Sequence, residues 1–160
     1  MVAAADRPIL HGICVLRDVD EVLAAECPAG VPMWVLGAAY AGRPGAWRCW
    51  AGLRRAIREF RPDVVHARST GTWFDAAVAT FGLAQTRLLL GFHGRTSLTP
   101  ASIRRRLVNA WAVGRADAVL AVSSESARML ETEWSVPAHK LCAIPNGVDP
   151  GLDVPGNVVI

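Results

Sequence analysis

The sequence predicts an α/β protein built on a parallel sheet with helices on both faces. Six short apolar segments alternate with segments of helical spacing, and this alternation is typical of such sheets. Hydrophobic residues make up 52% of the 160 residues and charged residues 19%, so the chain has enough apolar side chain for one buried core. No apolar run approaches the roughly 20 residues that a membrane-spanning helix needs. No signal peptide is recognisable, and we therefore expect a soluble cytoplasmic protein.

The first part of the chain supplies two strands and two helices. Pro8 to Leu16 and Val31 to Leu36 are apolar and branched, which predicts strands, and Asp18 to Glu26 is suited to a brief helix between them. Apolar residues then recur at helical spacing from Trp47 to Phe60. Arg61-Pro62 ends that helix, because proline cannot continue it.

The rest of the chain alternates strands and helices more regularly. Compact apolar runs predict further strands, and helical periodicity predicts a helix after each of the first three. The strands are Asp63 to Ala67, Arg87 to Phe92, Ala116 to Val122 and a last one ending at Ile144; the helices are Trp73 to Phe81, one beginning at Pro100, and Ser123 to Glu133.

The helix that begins at Pro100 carries an apolar stripe, which we expect to face the core. The stripe consists of Ile103, Leu107, Ala110 and Trp111, while Arg104 to Arg106 should point outward or sideways. Proline is tolerated at the first helical position, where its missing N–H has no partner to lose.

The spacing of the cysteines and the distribution of charge limit the kinds of ligand that the chain is expected to bind. Cys14, Cys27, Cys49 and Cys142 show no zinc-ligand spacing, so we expect reduced, mostly buried thiols, no metal site and no cofactor. The net charge is only +3, but residues 43–115 carry thirteen Arg against three acids. This basic middle indicates an anionic partner such as a phosphorylated sugar, a lipid headgroup or nucleic acid.

Candidate binding residues follow the predicted strands, because ligands of open parallel sheets sit beyond the carboxyl ends of the strands. His93 and Arg95 follow one strand, and an imidazole there can donate to a phosphate or a sugar hydroxyl. His66 and Arg68 stand at the end of the preceding strand. For each of these residues a purely structural role in its own loop is the alternative.

Two further segments belong to the same predicted edge. Ser123 and Glu125 open a helix, where free backbone N–H groups attract anions, although capping alone explains Ser123. Asn146-Gly147 is a tight turn. Nothing places a histidine and an acid around one of the serines, so no nucleophilic triad is predicted.

Three segments in this order resemble family 4 glycosyltransferases. They are Arg61 to His66, Ala116 to Ser123, and Ala143 to Asp149, which contains Ile144-Pro145-Asn146-Gly147-Val148-Asp149. The resemblance runs from about Ala29 to Asp149. It implies one Rossmann-like half of a two-domain fold, the GT-B fold, in which the first domain binds the acceptor and the second binds the nucleotide sugar.

The resemblance also implies an activity and roles for individual residues. Relatives transfer a sugar from a nucleotide sugar to an acceptor hydroxyl with retention of configuration. His93 would face the reaction centre, and the residues that would bind substrate are Arg95, His66, Arg68, Ser123, Glu125, Asn146 and Gly147. The Ala- and Arg-rich composition suggests a bacterial source.

The resemblance and the charge pattern also imply partners. A sugar or lipid-linked sugar would be the acceptor, and a nucleotide sugar would be the donor. Arg104 to Arg106, together with Trp111, would allow peripheral contact with the inner face of a membrane. Nucleic acid is not expected, because exposed aromatic residues do not interleave with the arginines.

The sequence departs from the family pattern at both ends. The glycine-rich loop usual after the first strand is missing, since Arg17-Asp18-Val19-Asp20-Glu21 follows Leu16. We therefore expect residues 1–150 to be the acceptor-side domain without its first strand, and residues 151–160 to begin the connection to an absent donor domain. Such a chain would be inactive or nearly so by itself. The rival interpretation is a non-catalytic module that binds a ligand or a partner.

Overall fold

The computed structural model describes residues 9–19, 21–37, 47–94 and 102–145, in which strands and helices alternate. The strands are β1 Ile13–Val15, β2 Met33–Val35, β3 Val64–Ala67, β4 Arg87–Phe92, β5 Ala118–Ala121 and β6 Leu141–Ala143. The helices are α1 Glu21–Ala25, α2 Trp47–Phe60, α3 Trp73–Thr80, α4 Ile103–Arg115 and α5 Ser124–Trp134, and a 3-10 turn at Ala138–Lys140 precedes β6. The predicted α/β class is confirmed.

All strand pairs are parallel, and they fall into two groups. β1 pairs with β2, and β3, β4, β5 and β6 form a four-stranded sheet in that order. The register places His66 beside Leu89 and Phe92 beside Ala121. Because parallel strands run in the same direction, the loops after β3, β4 and β5 meet at one edge of the sheet.

The main core lies on one face of the four-stranded sheet. Leu90 and Phe92 of β4 and Val119 of β5 are almost fully buried, together with Trp73 of α3 and Leu130 of α5. Side chains alternate along a strand, and the buried Leu90 and Phe92 of β4 are paired with the buried Val119 and Ala121 of β5. The helices α3, α4 and α5 therefore cover the same face.

The opposite face of this sheet is less covered by the described residues. Val64 and His66 of β3 are exposed there, and Leu89 and Leu120 are half-buried. A parallel sheet normally has both faces covered. This face carries one of the two candidate histidines.

Helix α2 connects the two groups of strands. Its buried Leu53 and Ile57 form a cluster with Ala79 of α3, and Cys14 of β1 and Val65 of β3 both pack against this cluster. Within the described residues β1 and β3 nevertheless do not pair. The helix has the bounds that its apolar periodicity predicts.

Helix α4 differs from the prediction in its start and in the face that it buries. It begins at Ile103 with Ser102 as N-cap, whose hydroxyl accepts the Arg105 backbone N–H; Pro100 lies outside the described residues. The expected inner stripe is wrong: Ile103, Leu107, Ala110 and Trp111 are all exposed.

The buried face of α4 consists of smaller residues, which are Asn109, Ala112 and Val113. Small residues allow a helix to pack closely against its neighbours. Because α4 has two apolar faces, its apolar periodicity does not predict which of them is buried. None of the described helices is long and apolar enough to cross a bilayer.

Candidate functional site

His93 stands just beyond the carboxyl end of β4 with its side chain exposed, as predicted. The end of β4 is held from below by Trp73, a fully buried residue whose indole Nε1 donates to the Gly91 carbonyl at 3.1 Å. Gly94 follows with a φ of +99°, a conformation that glycine adopts without strain. His93 therefore projects from a fixed strand end into an open loop.

Gly91 brings His66 and His93 together. A Cβ atom on Gly91 would lie 2.6 Å from His66 Nε2 and 3.4 Å from His93 Nε2. It would also lie 3.3 Å from the Arg68 Cα. Only glycine leaves room for the His66 ring at this point, so the strand sequence itself creates the cluster of His66, Arg68 and His93, which we call the histidine cluster.

The histidine cluster is electrostatically positive. Partial burial lowers the pKa of His66, and the nearby charges of Arg68 and His93 lower it further. The free site therefore favours the neutral imidazole of His66. A bound anion would reverse this preference, because negative charge stabilises the protonated ring.

The loop after β3 is held in place by its own hydrogen bonds and by α4. Thr72 Oγ1 donates to the Ser69 carbonyl at 2.8 Å. Arg105 Nη2 donates to Thr70 Oγ1 at 3.3 Å, which brings a second guanidinium group to this edge. The carboxyl edge of β3 thus has several cationic and hydroxyl donors.

Ser123 is the N-cap of α5, which is one of the two roles predicted for it. The other predicted role is contact with an anionic ligand. Its Oγ accepts the Ser126 backbone N–H at 3.0 Å and donates to Ser126 Oγ at 3.0 Å. Glu125 is exposed in the first turn, where a carboxylate stabilises the helix dipole. Substrate contact by either residue stays a prediction. Arg95, Asn146 and Gly147 lie outside the described residues.

The sequence of this chain matches a known protein family. The sequence matches the family described as Glycosyltransferase Family 4 over residues 13–152, which is most of the chain. The chain belongs to glycosyltransferase family 4. No curated protein matches it. The resemblance seen in the three sequence segments is confirmed, and so is the Rossmann-like fold that it implied.

Two residues at this edge of the family 4 chain were missed by sequence reasoning. Gly91 was overlooked because its importance depends on a neighbouring strand. Asp75, in the first turn of α3, accepts a hydrogen bond from Trp50 Nε1 at 2.7 Å, and burial raises the pKa of its carboxyl group. Acids are common in first turns, so the sequence contains no signal for Asp75.

The cysteines are unpaired, but the expectation that most are buried is wrong. Only Cys49 is buried; Cys14 and Cys27 are half-buried, and Cys142 is exposed. Burial, then Asp75 and Cys14, raise the pKa of Cys49 to about 11, so this thiol is protonated at neutral pH. Within the described residues, no group of three or more His, Cys, Asp or Glu is placed to hold a metal ion.

Proposed function

We propose that this chain is the acceptor-binding half of a retaining glycosyltransferase that transfers a sugar, of the hexosyl type, from a nucleotide sugar to an acceptor hydroxyl. The observation that supports this most directly is the histidine cluster at the open carboxyl edge of β3 and β4. Two imidazoles and a guanidinium group provide donors for sugar hydroxyls and phosphate oxygens. The proposal places the protein in the cytoplasm, where nucleotide sugars are made.

His93 is the proposed contact to the transferred sugar, because it is exposed at the end of the longest described strand. An imidazole N–H there would donate a hydrogen bond to a sugar hydroxyl and hold the ring in place during transfer. His66 and Arg68 are the proposed contacts to the acceptor. The residues proposed to complete the substrate site are Arg95, Ser123, Glu125, Asn146 and Gly147.

Catalysis by this domain requires a donor-binding domain opposite the histidine cluster. Bringing the donor and acceptor together supplies much of the rate in a two-substrate transfer, and one domain alone provides groups for only one of them. In this proposal residues 1–150 form the acceptor domain and residues 151–160 begin the connection to the second domain. We expect residues 1–160 by themselves to be inactive or nearly so.

The test is reconstitution of sugar transfer. Residues 1–160 are assayed with candidate nucleotide sugars and acceptors, alone and mixed with a separately produced nucleotide-sugar-binding domain. We expect turnover only in the mixture. His93→Ala should reduce it by at least about 100-fold, the loss typical of a group that stabilises a transition state.

The control for this assay is His139→Ala. His139 is an exposed histidine on the turn before β6, at the amino edge of the sheet. It should retain turnover. Equal activity of the His93 and His139 variants would contradict the proposed role of His93.

A second candidate function is a non-catalytic module that binds a partner. The half-covered sheet face around Leu89 and Leu120 favours it, because a partner would complete the burial that a parallel sheet needs. No turnover in the mixture, although the added domain binds its nucleotide sugar, would favour this module over the glycosyltransferase.

A further inference from the structure

We propose that the exposed apolar side of α4 lies against an anionic lipid bilayer. This surface, the α4 stripe, consists of Ile103, Leu107, Ala110 and Trp111. The evidence for membrane binding by the α4 stripe does not depend on the proposed function. Only its use in bringing a lipid-linked acceptor to the histidine cluster rests on the proposed function.

The α4 stripe is continuous, apolar and open to solvent. Ile103, Leu107 and Trp111 follow each other at intervals of four residues, so they lie on one side of the helix. Their exposures are 72%, 66% and 41%. Single exposed apolar residues are ordinary, but a contiguous row along a helix marks an interaction surface.

The positive charge beside the α4 stripe favours an anionic lipid surface as its binding partner. Arg104 and Arg106 lie on the two flanks of the α4 stripe, by the 100° rotation per residue of an α-helix. The α4 sequence contains no acidic residue. An apolar stripe between cationic flanks is the pattern of helices that lie in the interface of an anionic bilayer.

The aromatic residues next to α4 also favour a lipid bilayer as the binding partner. Trp111 packs on Phe74 with ring centroids 5.4 Å apart, which fixes the indole while part of it stays in solvent. Phe81 is 55% exposed, and the Arg115 guanidinium carbon lies 4.5 Å above its ring centroid. Tryptophan favours the interfacial region of a bilayer, where its ring is buried and its N–H stays hydrated.

The position of α4 connects the membrane surface to the histidine cluster. The helix begins at the carboxyl edge of the sheet, and Arg105 binds Thr70 in the loop after β3. A bilayer against the α4 stripe would therefore meet the carboxyl edge from the helix side of the sheet, and an acceptor would have to reach around this edge to His66, whose side chain lies on the other face. An acceptor held in that bilayer could present its headgroup to this edge.

The test is binding of the full chain to lipid vesicles. Sedimentation is measured with vesicles of pure phosphatidylcholine and with vesicles containing phosphatidylglycerol. We expect binding to the anionic vesicles that weakens at high salt, because salt screens the arginines. The double variant Ile103→Glu with Leu107→Glu should bind at least about tenfold more weakly, since it removes apolar area and adds negative charge.

The matched control is Ile9→Glu with Leu10→Glu, which changes two residues that are 79% and 80% exposed at the other end of the described chain. This variant should bind as the wild type does. Both changes lie on exposed side chains, and unchanged circular dichroism will show that each variant is folded. Quenching of tryptophan fluorescence by brominated lipid should decrease in Trp111→Phe.

Three results would overturn the proposal. The first is no binding of the wild type to anionic vesicles. The second is equal loss of binding in both double variants. The third is a wild-type dimer that the α4 variant converts to a monomer without any vesicle binding, which would assign the α4 stripe to a second copy of the chain.

Discussion

Gly91 determines how closely the two histidines approach, and it provides a test at the scale of one residue. In Gly91→Ala the new methyl group would overlap His66 Nε2 and press on the Arg68 backbone. We expect the His66 ring to move away and the free energy of unfolding to decrease by about 1–3 kcal/mol, the usual effect of overpacking. Urea unfolding measures the stability, and the ring signals of His66 report its displacement.

Gly114→Ala is the control for this substitution. Nothing lies within 4 Å of a Cβ atom built on Gly114, a glycine inside α4. Alanine there should raise stability by about 0.5–1 kcal/mol, because it is the better helix former. Equal effects at the two glycines would contradict a specific role for Gly91.

The positions of these residues could be predicted only where a local sequence pattern was enough to place them. His66 and His93 could be placed at strand ends because each follows a short apolar run. Their approach across Gly91 depends on the register that places His66 beside Leu89. Register between strands separated by a helix is a tertiary property, and no local pattern contains it.

At the scale of one element, α5 offers a way to separate capping from ligand binding. Ser123→Ala removes the side-chain acceptor for the Ser126 N–H and should decrease stability by about 0.5–2 kcal/mol. Ser124→Ala, at the exposed neighbouring position, should have little effect. Thermal unfolding compares the two variants. If Ser123→Ala is as stable as the wild type, the capping role is contradicted.

Helix α4 shows why the type of an element is easier to predict than the face that it buries. Its apolar periodicity predicted a helix correctly, but the larger side chains were assigned to the core. The structure instead buries Ala112 and Val113 in the main core. The size of the apolar side chains therefore did not predict which face of α4 is buried.

At the scale of the whole molecule, the strands among the described residues form two groups that do not pair with each other. We propose that a further parallel strand belongs between β1 and β3, since both pack against the same cluster without pairing. The backbone amides of β1 and β3 that bond to neither β2 nor β4 should then exchange with solvent much faster than those of β4 and β5. Slow exchange at every amide of β1 and β3 would contradict this proposal.

The overall architecture was predictable because each strand and helix has a strong local pattern. The alternation of apolar runs and helical segments determined the α/β class, and three short motifs determined the family. The separation of β1 from β3 was not predictable from composition or periodicity. This separation depends on which strands pair with each other in the folded protein.

The histidine cluster is proposed to be an open site for an anionic sugar ligand, and the most direct test is the pKa of His66 measured by NMR. In the free chain this pKa should lie below its ordinary value of about 6.5. A saturating hexose phosphate should raise it and shift the His93 signals, while His139 stays unchanged. An identical titration curve for His66 with and without the hexose phosphate would contradict an anion-binding role of the histidine cluster.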